Sequence, residues 1–266
     1  MFRKNVFIAL VLLLTVSSCS KYQRLVKSTD YEEKYQMAMV FYEQTDYYRA
    51  LQLFDQLLPF YRGTDRAERL SYYYAYAHYH QRDYVLGSFY FKRFAKTFPR
   101  SQFAEECAFM SAYCQYLDSP KHSLDQTNTN EAIKELQLFI NMYPQSGRIE
   151  ECNRLIDNLR AKLELKDMEI ARLYFKMENY TAAITAFKNV LKAFPETRFR
   201  EEIMLSILRA HYNFAMKSIE FKKEERLRET LASFDNFVAQ FPRSQYAKDA
   251  SNIQKNTLRE LNQTKN

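Results

Sequence analysis

The sequence predicts an all-α chain built as an array of repeated helix pairs, and three observations carry that reading. Glycine occurs only at Gly63, Gly87 and Gly147, and six prolines punctuate long stretches rich in Ala, Leu, Glu, Lys, Gln and Arg, which favour helix over sheet. An aromatic-proline step recurs as Phe98-Pro99, Tyr143-Pro144, Phe194-Pro195 and Phe241-Pro242, with Tyr61-Arg62 as a degenerate first copy. Small and large apolar residues return at fixed distances before each step. With 47% of its 266 residues hydrophobic, the chain can bury a sizeable core or extend as an array, and composition alone does not choose between them.

The first element is a leader. Residues 1–18 begin with the basic pair Arg3-Lys4, continue through the apolar run Val6 to Leu14, and end in small or polar residues, the pattern of a secretory signal peptide. The apolar run is too short to span a bilayer, which takes about 20 residues. Val16-Ser17-Ser18-Cys19 resembles the lipobox of bacterial lipoproteins, in which the cysteine is acylated and becomes the new N-terminus; Val16 departs mildly from the commoner leucine. Acyl chains contribute about 0.8 kcal/mol per buried methylene, so lipid on Cys19 would anchor the chain with no protein segment in the membrane. Ser20 follows where aspartate would resemble an inner-membrane retention signal, and the positions after Cys19 lack the acidic residues of a surface-export signal. The resemblance therefore implies the outer membrane, facing the periplasm, with residues 19–30 as a lipid-anchored linker.

Residues 31–266 are expected to form the repeat array. Fifteen residues before the proline position stand Tyr47, Tyr84, Thr129, Tyr180 and Leu227, and twelve before it Ala50, Gly87, Ala132, Ala183 and Thr230. Eight before it stand Phe54, Phe91, Leu136, Phe187 and Phe234. Small residues let two helices approach, large ones fill the space beside them, and proline stops the second helix. After the step, the phrases opening at Ser101, Ser146, Thr197 and Ser244 restart a helix, with the hydroxyl residue placed to cap it. This spacing resembles the tetratricopeptide repeat, a helix pair of about 34 residues that stacks into a right-handed solenoid. The sequence thus reads as about five repeats plus a C-terminal capping helix whose Ala247, Ala250, Ile253 and Leu258 face inward. The longer spacing implies inserted loops, at Ser119–Asn130 and around Lys217–Glu225.

Little in the chain suggests chemistry. Three distant glycines cannot build a phosphate-cradling loop. The formal charge of +7 falls to +5 once Arg3 and Lys4 leave with the leader. Lys222, Lys223, Arg226 and Arg228 alternate with Glu224, Glu225 and Glu229, a solvated helix and not a nucleic-acid surface. Cys107, Cys114 and Cys152 fall at apolar positions and read as free buried thiols; Cys107 and Cys114 are about 10 Å apart along a helix, too far to bridge. His78 and His80, at i and i+2, point to different faces and cannot pair on a metal. The acidic pairs Glu105-Glu106, Glu150-Glu151 and Glu201-Glu202 recur at one repeat phase, which fits helix-dipole complementarity and not a catalytic pair. We expect no catalytic residue, no metal site and no cofactor.

A lipobox followed by about five degenerate repeats, with Phe98-Pro99-Arg100-Ser101, Tyr143-Pro144-Gln145-Ser146 and Asn179-Tyr180-Thr181-Ala182-Ala183 through Thr197, resembles the BamD family of lipoproteins of the outer-membrane β-barrel assembly machinery. The resemblance implies a non-enzymatic scaffold that binds the periplasmic domains of the barrel-assembly protein and unfolded outer-membrane protein substrates. The alternatives are a periplasmic repeat adaptor in cell-envelope or peptidoglycan assembly and a glycan-binding lipoprotein. On the family reading, repeats at 31–118 bind substrate and repeats at 130–266 dock the partner, with the basic residues Lys188, Lys192, Arg198 and Arg200 as docking candidates.

The substrate groove is read from helix phase. In a tetratricopeptide array the first helix of each pair lines the concave side, and aligning on Ala75 puts Arg69, Tyr72, Tyr76, Tyr79 and His80 there. The same phase in the first repeat selects Tyr35, Met39 and Tyr42. Tyr74, Ala75 and His78 then turn toward the repeat's own second helix.

Overall fold

The computed structural model describes residues 21–263, and every regular element among them is a helix. Cys19 and the leader lie outside the described residues. A short helix α1 (residues 21–27) precedes α2 (Tyr31–Glu43) and α3 (Tyr47–Phe60), the first pair. Then come α4 (Arg66–His80) with α5 (Tyr84–Thr97), and α6 (Ala104–Asp118) with α7 (Thr127–Met142). The long α8 (Ile149–Lys176) is followed by α9 (Tyr180–Ala193), α10 (Arg200–Met216), α11 (Glu220–Gln240) and α12 (Ala247–Gln263). The chain forms two compact units, the first through Pro120 with Asp125–Leu159, the second from Arg160 onward with Lys121–Leu124.

The repeat phases are core positions. Ala50, Ala132 and Ala183 have no exposed surface, and Phe54, Phe91, Leu136 and Phe187 beside them are all but fully buried. Each of these phenylalanine and leucine side chains stabilises by about 1.5–3 kcal/mol relative to exposure. In the first unit Phe54, Leu57, Leu70 and Tyr74 form one cluster, and Phe91, Phe94, Leu136, Phe139 and Leu155 another. In the second, Met168, Tyr180, Phe187 and Ile203 pack together, followed by Leu205, Phe237, Ala250 and Ile253. Cys107, Cys114 and Cys152 are free and fully buried, and burial pushes their thiols up, Cys114 to about 12 and Cys152 to about 11.

The proline step works through the residue before it. Phe98, Tyr143, Phe194 and Phe241 each end their helix at φ between −122° and −129° with ψ of 61° to 76°, outside the helical region that a following proline disfavours. The turn inside a pair has its own signature. Thr45, Arg82 and Glu178 adopt φ of 60° to 61°, and the next residues, Asp46, Asp83 and Asn179, cap the second helix by accepting from Arg49, Leu86 and Ala182.

Five expectations need correction. Ser101, Ser146 and Thr197 are not N-caps: each hydroxyl accepts from the backbone N–H two residues on, before the helix starts, and donates to a glutamate of an earlier helix, Glu68, Glu105 and Glu164. Residues 21–27 are not linker but helix, because Leu25 is buried and the Tyr22 hydroxyl donates to Gln52 Oε1 at 2.6 Å. Of the inserted loops, Thr127–Asn130 already belong to α7, and Glu220–Glu225 extend α11, so only three residues separate α10 from α11. The extra length before the fourth repeat is helix as well, one continuous α8 that supplies Cys152, Leu155 and Leu159 to the first unit and Met168 and Ala171 to the second. Finally, α12 buries Ala250, Ile253, Thr257 and Leu261, whereas Ala247 and Leu258 are exposed. The inward stripe runs one turn further along than a local count suggests.

Candidate functional site

The tyrosine face of α4 forms because rings at i, i+4 and i+7 share one side of a helix. Tyr72, Tyr76 and Tyr79 are half-buried. The Tyr72 ring lies 4.7 Å from Tyr76 and 4.6 Å from Phe103, and Tyr76 meets Phe91 edge-on at 4.8 Å. The Tyr72 hydroxyl donates to Glu106 at 3.3 Å and the Tyr76 hydroxyl to the other carboxylate oxygen. These two phenols are therefore held by α6 of the next repeat. Burial, reinforced by Glu106, pushes Tyr72 up to about 12 and raises Tyr76 further, so both remain neutral donors.

The other predicted groove residues divide. Tyr42 is half-buried and packs on Tyr73 at 4.8 Å, while exposed His80 stacks on Tyr47 at 4.7 Å, so these rings continue the α4 face onto the first pair. Arg69 is exposed with its guanidinium 5.6 Å from the Tyr73 ring. Tyr35 and Met39, by contrast, are buried at 7% and 8% exposure; the Arg66 guanidinium covers the Tyr35 ring at 4.7 Å, and both residues belong to the core of the first pair and not to an open groove. As expected, Tyr74 and His78 turn to the second helix, packing on Tyr90 at 4.5 and 5.1 Å.

Sequence reasoning stopped one repeat early. Carrying the phase of Tyr72, Tyr76 and Tyr79 across the next proline selects Phe109, Tyr113 and Tyr116 on α6, which form a continuous stack: Phe109 to Tyr113 at 5.7 Å and Tyr113 to Tyr116 at 5.9 Å, nearly parallel. Tyr113 and Tyr116 keep part of their surface open, and Tyr79 lies 6.5 Å from Tyr113. The signal was present, since Ala112 sits at the phase of Ala75. Together α4 and α6 offer a row of partly open rings suited to stacking on aromatic or extended peptide groups.

In the second unit Lys188, Lys192 and Arg198 are exposed, and Arg200 is half-buried with its guanidinium donating to the Pro195 carbonyl at 2.6 Å. Lys188 and Arg200 line one cavity of about 410 Å³ between α9, α10 and α11, whose wall includes Met204, Ile207, His211 and Glu229. Lys192 and Arg198 lie outside that lining; Arg198 stacks on Phe199 at 4.8 Å. The four predicted docking residues are thus not one cluster. Among the described residues no group of His, Cys, Asp or Glu could hold a metal ion, and no helix is long and apolar enough to cross a membrane.

Comparison with known proteins supplies independent findings. The family profile described as YfiO, outer membrane lipoprotein, matches residues 27–227. The outer membrane protein assembly factor BamD of Caulobacter vibrioides is 24% identical over 174 residues, which is 65% of this chain and 55% of that protein, so the chain spans about half the length of this relative. BamD of Pasteurella multocida is 20% identical over 226 residues, 81% of this chain and 86% of the relative. Among solved structures, a Podosopora anserina kinesin light chain with nearly identical TPR-like repeats matches at 13% identity and a TM-score of 0.33, over 83% of this chain and 99% of that one.

Proposed function

The chain belongs to the YfiO family of outer membrane lipoproteins, and from that premise we propose that it is a lipid-anchored scaffold of outer-membrane β-barrel assembly. On this reading Cys19 carries the lipid, the repeats face the periplasm, and the protein catalyses nothing. Its first unit binds unfolded outer-membrane protein segments, and its second docks the barrel-assembly protein. The observation that carries the reading is the row of partly open rings on α4 and α6, repeated in one phase across two repeats. Extended substrate segments alternate side chains on two faces, so a row of rings can stack on every second residue without reading a fixed sequence.

The basic residues Lys188 and Arg200 at the α9–α11 cavity suit a partner surface that offers carboxylates, and they raise encounter rates more than affinity. Neither role calls for a cofactor or for nucleic acid.

Photocrosslinking tests both assignments in the intact lipoprotein. A benzoylphenylalanine at Tyr113 or Tyr116 should trap unfolded outer-membrane protein, and one at Lys188 should trap the barrel-assembly protein. Crosslinks to neither class from Tyr113 and Tyr116, with a normal helical circular-dichroism spectrum, would remove the substrate assignment. Replacing Cys19 with alanine should release the protein from salt-washed membranes; retention there would place the anchor elsewhere.

A further inference from the structure

Four helix pairs close with a three-residue turn, and three of these turns share one chemistry. Gln44-Thr45-Asp46, Gln81-Arg82-Asp83 and Met177-Glu178-Asn179 each hold the middle residue at φ of 60° to 61°, and each ends in an Asp or Asn whose side chain caps the next helix. The fourth, Lys217-Ser218-Ile219 between α10 and α11, departs from that pattern. Ile219 stands at the capping position and makes no side-chain bond to α11, although an aliphatic residue is among the poorest choices there. It is also 71% exposed, so burial does not offset the missing cap.

The departure extends to its neighbours. Phe221, the second residue of α11, is 86% exposed, and Met216, the last of α10, is exposed as well. Lys217 donates to Glu178 and so ties this turn to the α8–α9 turn, where Met177 is 67% exposed. Two neighbouring turns of the second unit thus present Met177, Met216, Ile219 and Phe221 to water. The charges around them are matched: Lys217 pairs with Glu178, Lys222 with Glu225 and Lys223 with Glu260, while exposed Lys176 and Glu220 offset each other. Charge therefore selects neither an acidic nor a basic occupant, and apolar surface is what this edge offers.

The shape narrows the occupant. Ile219 and Phe221, with most of their surface open, protrude from a turn, and none of the four apolar residues lines the α9–α11 cavity. Protruding side chains without a groove suit a phase that closes around what enters it, and a bilayer surface is such a phase. A member of a family of outer membrane lipoproteins works beside one. For a tethered chain the contact is effectively intramolecular, so a few side chains at headgroup depth suffice where they would not hold a free protein. The Lys222 ammonium lies 5.6 Å from the Phe221 ring, and such a stem can follow the ring inward while its charge stays in water.

We propose that the α10–α11 turn is a second membrane contact, with Ile219 and Phe221 seated in the headgroup region of the bilayer that holds the lipid of Cys19; the proposal rests on the lipid-anchored reading above. The chain has no tryptophan, so Phe221→Trp provides a single reporter. Lipidated mature protein would be reconstituted in vesicles of phosphatidylethanolamine and phosphatidylglycerol, with and without lipids brominated near the top of the acyl chains. Phe89→Trp, on α5 at 56% exposure, is the control. Expected are a blue-shifted emission and about twofold bromine quenching for Phe221→Trp, little of either for Phe89→Trp, and loss of about half the quenching when Ile219→Asp is added. Ile219→Asp installs the capping residue of two other turns, so the melting temperature should hold or rise, which separates lost insertion from lost fold. Unquenched emission from Phe221→Trp, equal quenching of Phe89→Trp, or quenching undiminished by Ile219→Asp would overturn the proposal. A blue shift that requires the barrel-assembly protein and comes without bromine quenching would overturn it too, making the turn a protein contact. Vesicle flotation reads the anchor separately: protein that floats without quenching loses the insertion and keeps the anchor, and protein that does not float loses both.

Discussion

Replacing the hydroxyl residue after the proline step tests what holds successive repeats together. Ser101, Ser146 and Thr197 make the same two bonds: each accepts a backbone N–H at 3.0–3.1 Å and donates to a glutamate of an earlier helix, at 2.6 Å for Ser101 and Ser146. Their settings differ. Thr197 is buried to 9% exposure, whereas the Ser146–Glu105 bond is open to water. In Thr197→Val the volume is kept, but Glu164 loses a donor and the Phe199 N–H its acceptor. A charge-assisted hydrogen bond lost in a shielded place costs about 1.5–3 kcal/mol, whereas an exposed carboxylate rehydrates and the loss is about 0.5 kcal/mol. Thr197→Val should therefore cost about 2–3 kcal/mol and Ser146→Ala about 0.5–1 kcal/mol, with Ser101→Ala between them. Because the two units need not unfold together, amide hydrogen exchange in α9 and α10 is the assay for Thr197, supported by thermal melts. Thr197→Ser should recover most of the loss. Equal costs for Thr197→Val and Ser146→Ala, or a cost below about 0.5 kcal/mol for the former, would refute the idea that burial of the bond sets its worth.

Arg82 sits at φ 61° in the α4–α5 turn, where a Cβ costs about 1 kcal/mol, so Arg82→Gly should raise the urea midpoint slightly, by about 0.5–1 kcal/mol of stability. A lowered midpoint would mean that the arginine side chain contributes more than its backbone costs. Tyr76→Phe should lose about 1 kcal/mol with its bond to Glu106, and Tyr76→Ala about 3–4 kcal/mol with its packing on Phe91; a neutral Tyr76→Ala would show that the ring serves only a ligand. Burial depresses His78 and His211 below the usual 6.5, a change that the nearby Asp83 and Glu229 only partly offset. A depressed folded-state value means that the unfolded chain binds the proton more readily, so stability is complete above about pH 6.5 and declines as pH falls below it. Melting temperature should be flat above neutrality and drop toward pH 5, and the drop should shrink in His78→Gln, which installs the residue that the third repeat has at that phase, Gln115. A pH profile unchanged by that substitution would point to carboxylates instead.

The sequence by itself determined those features whose cause lies within about one turn of helix. The proline step, the small and large apolar phases and the buried cysteines were all legible, because stopping a helix or burying one of its faces depends on residues three or four apart. The tyrosine row was legible in part, and its continuation to Tyr113 and Tyr116 needed only the same count carried one repeat further. What tertiary structure decided was which neighbour covers each half-apolar face. Leu258 and Leu261 are equal candidates by local pattern, and packing against the last repeats buries Leu261 and leaves Leu258 exposed. The polar-looking insertion near Thr127 became helix because Thr129 and Ala132 are buried along one side, whereas Glu220–Glu225, none of them buried, are mostly good helix formers that extend α11 ahead of its first buried residue, Leu227. Glu106 reads as a helix-dipole residue until the fold brings Tyr72 and Tyr76 to it from another repeat.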